Sequence, residues 1–129
     1  MKAVLLAGGK GSRLRPYTAV IPKPLMPIGE HTIVEILLGQ LARAGVSDVT
    51  MCVGHQAGLI EAVCGDGQRH GLRIGYQREA QPLGTVGPLR LVEEQLPERF
   101  LVMNGDILSD VDFAAFHRAA EQSGAPLTV

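Results

Sequence analysis

The stretch Leu6–Pro16 reads LAGGKGSRLRP and directly follows an apolar run beginning at Ala3. Glycine lets a backbone approach a ligand closely and adopt φ > 0 without steric cost. Successive N–H groups in such a turn form a concave anion site. Arg13 and Arg15 add guanidinium groups, whose fork geometry matches phosphate oxygens. A strand, a glycine turn (Gly8, Gly9, Gly11), the small hydroxyl of Ser12 and then fixed cations suit a polyphosphate. Two familiar loops are excluded. Lys10 is followed by Gly11 and not by Ser or Thr, so the P-loop pattern fails, and Leu14 stands where a dinucleotide fingerprint needs its third glycine.

Working outward, the pattern is alternating α/β. Ala3–Ala7 is apolar throughout, as a strand covered on both faces should be. Pro16, Pro22, Pro24 and Pro27 keep the following chain irregular up to Gly29. Thr32 and Glu35 form a capping-box pair before a helix with Ile33, Ile36, Leu37, Leu41 and Ala44 at helical spacing, stopped at Gly45. Asp48–Val53 reads as a second strand, Gln56–Val63 as a short helix and Leu72–Gln77 as a third strand. Gly84–Gln95 is expected to be helical with Pro88 in its first turn. Phe100–Met103 reads as a fourth strand. A last helix is expected from its Asp112 cap to Ser123, with Phe113, Phe116, Ala119 and Ala120 inward. Pro126–Val129 has the pattern of a fifth strand beginning.

Strands alternating with helices imply a parallel sheet with right-handed crossovers, and hence a Rossmann-like three-layer sandwich. Ligands of such sheets bind beyond the carboxyl ends of the strands. The Gly8 loop, Gly54-His55 and Asp106 are therefore expected to share one crevice. The chain has 129 residues, the length of one domain. It reads as residues 1–129 of a nucleotide-binding unit, the N-terminal part of a longer domain.

Composition narrows the partners. A net charge of −1 argues against a general nucleic-acid or membrane surface, and the absence of Trp argues against base-stacking platforms. Cys52 and Cys64 lack metal or redox spacing and read as buried free thiols. The four histidines show no ligand spacing. No targeting segment or apolar run of membrane-spanning length is present, so a cytoplasmic setting is expected.

Chemistry-bearing residues follow the loop. Lys23 is held between Pro22 and Pro24, stiffly enough to bridge phosphates in a transition state. Asp106 ends an apolar strand through Asn104-Gly105, a usual position for a carboxylate that holds Mg²⁺ against a nucleotide phosphate. Gln77 offers a side-chain amide, and Gly84 and Thr85 offer backbone groups, for a base edge.

LAGGKGSRLRP, then PKPLMPIG (Pro22–Gly29), LGTVGPL (Leu83–Leu89) and NGDIL (Asn104–Leu108) together resemble the sugar-1-phosphate nucleotidylyltransferases. The LGT-x-G form and the NGDIL turn look most like mannose-1-phosphate guanylyltransferase-type members, with glucose-1-phosphate uridylyl- or thymidylyltransferases as the alternative. The resemblance implies that a sugar 1-phosphate attacks the α-phosphorus of a nucleoside triphosphate and displaces pyrophosphate, without a protein nucleophile. It implies that Gly8, Gly9, Gly11 and Ser12 cradle the triphosphate through backbone groups and that Arg13 holds the leaving phosphates. Lys23 then contacts the α-phosphate and the sugar phosphate, Asp106 holds Mg²⁺, and Leu6, Ala7, Gln77, Gly84 and Thr85 surround base and ribose. A homo-oligomer is expected. Family members are longer, and the remainder carries most sugar contacts and a second metal-binding aspartate. Two other readings stay open: a non-catalytic nucleotide-binding regulatory homologue, and a cytidylyl- or molybdopterin-type transferase with another acceptor.

Overall fold

The computed structural model describes every residue from Met1 to Val129. Strand β1 (Lys2–Ala7) leads into the glycine loop, and three single 3₁₀ turns follow, at Ser12–Leu14, Tyr17–Ala19 and Lys23–Leu25. Strands β2 (Pro27–Ile28) and β3 (His31–Thr32) form a two-residue antiparallel hairpin around Gly29, at φ +63°. Helix α1 (Ile33–Arg43), β4 (Asp48–Val53), α2 (Ala57–Cys64), β5 (Arg73–Arg78), β6 (Leu101–Asn104) and α3 (Phe113–Ser123) complete the chain. The main sheet has the order β5-β4-β1-β6, with every pair parallel. The α/β class and the parallel sheet agree with the sequence reading.

Register follows the alternation of side chains along β1. Ala3, Leu5 and Ala7 face one side, where they meet Leu37, Leu38 and Leu41 of α1, Ile60 of α2 and Phe113 of α3 in the main core. Val4 and Leu6 face the other side, against Cys52, Leu89, Val92 and Leu96. Period-two alternation with both faces covered explains the unbroken apolar run. It also makes the molecule three-layered, with helices on one side and the 87–96 segment on the other.

Helix α1 begins at the expected capping box. The Thr32 N–H and hydroxyl donate to Glu35 Oε2 at 2.9 Å each, and the Glu35 N–H donates to Thr32 Oγ1 at 3.3 Å. Its fully buried stripe is Val34, Leu37, Leu38 and Leu41, while Ile33 and Ile36 are half-buried. The Asp112 cap of α3 also forms, with Oδ1 accepting from the Ala115 N–H at 2.9 Å. Phe113 is buried and Phe116 partly so, but Ala119 is exposed.

Two expectations are corrected. Gly84–Gln95 is not an α-helix but two 3₁₀ turns, Gly87–Leu91 and Glu93–Gln95. Gly84 takes φ +77°, and Pro88 lacks the N–H that a second helical turn would use. The segment still covers the sheet, because the tighter turns aim Leu89, Val92 and Leu96 at Val4. Pro126–Val129 is not a strand: no neighbour in the sheet pairs with it, and Leu127 and Val129 are exposed.

Both cysteines are free and buried as expected. Burial pushes each thiol up to about 11; the Glu79 carboxylate adds to this at Cys52, whereas at Cys64 nearby Arg69 partly offsets it. No helix is long and apolar enough to cross a membrane.

Candidate functional site

The carboxyl ends of β1, β5 and β6 open onto a cleft of about 460 Å³. Its floor is the exit of β1, at Leu6 and Ala7, and the loop Gly8, Gly9 and Gly11. Arg13 and Lys23 border it, Gly84 and Thr85 face them, and Asn104 and Asp106 close the β6 side. Ten sequence-predicted site residues therefore meet: Leu6, Ala7, Gly8, Gly9, Gly11, Arg13, Lys23, Gly84, Thr85 and Asp106.

The glycine loop is built by specific constraints. Gly11 lies at φ +58°, in the left-handed region that costs a side chain about 1–2 kcal/mol. The buried Thr18 donates its hydroxyl to the Gly11 carbonyl at 2.6 Å, and the Leu14 N–H donates to the same oxygen at 3.0 Å. A Cβ on Gly54 would come within 2.9 Å of the Gly8 carbonyl, so β1 and β4 leave the sheet in direct backbone contact. Gly9 has nothing within 4 Å of its Cβ position and stays open to the cleft.

Lys23 begins a 3₁₀ turn between Pro22, which is extended, and Pro24, which is buried. Its Nζ lies 2.6 Å from Asp106 Oδ2, with the two side chains 38% and 26% exposed. Asp106 itself follows Gly105, whose N–H donates to the Leu6 carbonyl at 2.9 Å, so the turn after β6 is pinned to β1. No group of three or more His, Cys, Asp or Glu side chains is arranged to hold a metal. Asp106 is a carboxylate on the cleft wall that could supply one ligand to a divalent ion.

Five residues singled out in the sequence lie outside the cleft lining. Ser12, expected to serve through its backbone, begins an exposed 3₁₀ turn next to the lining residues Gly11 and Arg13, and Arg15 lies beyond it. Gln77 pairs within β5 opposite Cys52, and its amide donates to the Arg78 carbonyl at 3.5 Å, away from the cleft. Gly54 packs against Gly8 from outside the cleft and His55 is exposed. From this edge of the sheet it is a residue just past the end of β5 that lines the cleft.

That residue is Glu79, which sequence reasoning missed. Its N–H continues the sheet by donating to the Val53 carbonyl at 2.8 Å. Its side chain folds over Gly8, where any Cβ would overlap the carboxylate. Its Oε2 accepts from the Leu83 N–H at 3.3 Å. The available signal was the acidic residue between an expected strand end and the Pro82–Gly84 turn. Thr18 was also missed, because a lone threonine in an irregular stretch carries no periodic signal.

Comparison with known proteins places this geometry in context. A family model described as "Nucleotidyl transferase" matches residues 2–129. A mannose-1-phosphate guanyltransferase of Yarrowia lipolytica is 36% identical, over all of this chain and 37% of its own length. A UTP–glucose-1-phosphate uridylyltransferase of Synechocystis is 37% identical, over all of this chain and 36% of its own length. The chain thus spans little more than a third of these relatives. Among solved structures, HddC from Yersinia pseudotuberculosis complexed with GMP-PN superimposes with a TM-score of 0.82 at 27% identity, covering 92% of this chain and 53% of that one.

Proposed function

Since the chain belongs to the nucleotidyl transferase family, we propose that its protein transfers a nucleotidyl group from a nucleoside triphosphate to a sugar 1-phosphate. The products are a nucleotide sugar and pyrophosphate, and GTP with mannose 1-phosphate is the favoured pair. Residues 1–129 supply the nucleotide-binding part of the transferase domain. The carrying observation is that the glycine loop, Lys23 and Asp106 converge on one cleft, although each comes from a different part of the chain.

In this reading the N–H groups of Gly8, Gly9 and Gly11 cradle the triphosphate, and Arg13 holds the leaving β- and γ-phosphates. Lys23 neutralises charge gathering at the α-phosphorus as the sugar phosphate oxygen approaches in line with pyrophosphate. Asp106 holds Mg²⁺, which when bound screens the phosphate oxygens. Leu6, Ala7, Gly84 and Thr85 enclose base and ribose. No side chain acts as nucleophile, so catalysis is positioning and charge stabilisation. The named relatives support the sugar 1-phosphate acceptor, and the guanyltransferases among them support GTP. The uridylyltransferase relative supports the second reading, UTP with glucose 1-phosphate.

The test is pyrophosphate release by the intact protein with each pairing of GTP, UTP or dTTP and mannose or glucose 1-phosphate. The fastest turnover is expected with GTP and mannose 1-phosphate. Absence of release with every hexose 1-phosphate, from folded protein in Mg²⁺, would overturn the proposal.

A further inference from the structure

We propose that Gln56 is a positioning residue for the triphosphate loop, acting from outside the cleft through the 17–21 segment; this rests on the nucleotidyl-transfer reading and deepens it. The Gln56 side-chain amide donates from Nε2 to the Ala19 and Val20 carbonyls, at 3.2 Å each. Those two residues directly follow Thr18, whose hydroxyl donates to the Gly11 carbonyl. Gly11 and Arg13 line the cleft. A short relay therefore joins the start of α2 to the residues that would meet the phosphates.

The loop has little else to fasten it. The other hydrogen bonds of residues 9–22 close on partners no more than seven residues away. The turns at Ser12–Leu14 and Tyr17–Ala19 are held by their own backbone. Only the bonds from Gln56 reach another part of the chain, 37 and 36 residues on. Irregular backbone keeps its conformational freedom unless something fixes it. The exit from β4 thus supports the loop at two points. Gly54 packs against the Gly8 carbonyl where the loop begins, and Gln56 holds Ala19 and Val20 beyond its far end.

The chain accepts local losses to make this tether. Gln56 is its one non-glycine residue in the left-handed region, at φ +58°, a conformation that favours glycine. It stands at the N-cap of α2, where a side chain ordinarily accepts from the free N–H groups of its own helix, yet it makes no such bond. Its Oε1 is buried without a hydrogen-bond partner. The compensating contacts are the two bonds to the 17–21 segment. Strained backbone of this kind collects where function needs a fixed geometry.

The experiment is calorimetric titration of the intact protein in Mg²⁺ with GTP, GMP, UTP and UMP, repeated on Gln56→Gly and Gln56→Met, with urea unfolding of all three proteins. Gln56→Gly removes the tether and eases the backbone. Gln56→Met keeps the length and lacks the donor. The readout is the triphosphate-over-monophosphate affinity ratio for whichever base binds, since monophosphates lack the β- and γ-phosphates. In both variants that ratio is expected to fall about tenfold, with monophosphate affinity kept within about twofold. The urea midpoint of Gln56→Gly is expected to stay near that of the unaltered protein. An unchanged ratio in both variants would overturn the inference. Equal losses of monophosphate and triphosphate affinity, with a lowered urea midpoint in both, would also overturn it and leave Gln56 as a support of the fold alone. In either case the unaltered protein still binds triphosphate. Failure of the unaltered protein to bind either triphosphate would instead overturn the nucleotidyl-transfer reading beneath it.

Discussion

The Lys23 ammonium lies 2.6 Å from the Asp106 carboxylate and ties the proline-flanked turn to the end of β6. Both side chains are partly exposed, and ion pairs of this kind contribute about 0–1 kcal/mol to stability. The pair therefore has little weight in holding the fold.

That low structural weight separates function from folding. Lys23→Met is expected to leave urea-unfolding stability within about 1 kcal/mol of the unaltered protein. Its kcat is expected to drop about 100-fold or more, because a charge positioned for the transition state is removed. Parallel unfolding curves and steady-state pyrophosphate assays check both halves. Equal losses in stability and activity would mean that the pair is structural.

The Thr18–Gly11 contact has the opposite character. Thr18 is buried and its hydroxyl has the Gly11 carbonyl as partner at 2.6 Å. Thr18→Val keeps the shape and removes one of the two hydrogen bonds on that carbonyl, which the Leu14 N–H still meets at 3.0 Å, so it is expected to cost about 0.5–1.5 kcal/mol. Gly11→Ala is expected to be at least as damaging, since φ is +58° and the new Cβ would lie 2.8 Å from Thr18 Cγ2. Both variants are expected to weaken triphosphate binding by loosening the loop. Urea unfolding and titration with GTP measure the two effects together.

Acid sensitivity follows from the capping box. The Thr32 backbone N–H is the largest influence holding the Glu35 carboxyl below its ordinary value of 4.5, with the Thr32 hydroxyl and nearby Arg69 assisting. A carboxyl whose pKa is lower in the folded state favours folding fully above its unfolded pKa, and that contribution is lost as pH falls through the folded value. Stability is therefore expected to decline as pH drops below about 4.5. Thr32→Ala is expected to cost about 1 kcal/mol at pH 7 and to flatten that part of the profile. Unfolding midpoints measured from pH 7 to pH 3 on both proteins provide the check.

The parts that were legible in the sequence are those with local causes. The α1 cap is one, because Thr32 and Glu35 are three residues apart and need no partner elsewhere. The apolar runs of β1 and β4 are another, since burial on both faces leaves no other composition. The glycine loop was readable because few residues tolerate the backbone of Gly11. What escaped depended on where an element ends. Gln77 and Glu79 are two positions apart, and only the exact exit of β5 decides which one turns into the cleft. The 84–95 segment carries helical apolar spacing, yet its glycines and Pro88 favour tighter turns that bury the same side chains. Side-chain pairings across the sheet, such as Lys23 with Asp106, have no sequence signal at all.

The strand order β5-β4-β1-β6 has one more consequence. Glu79 follows one edge strand and Asp106 the other, so their backbones leave the sheet about 14 Å apart, three strand spacings. The two carboxylates of the cleft therefore stand on separate supports. Changes at one support leave the other undisturbed, since sites this far apart combine nearly additively.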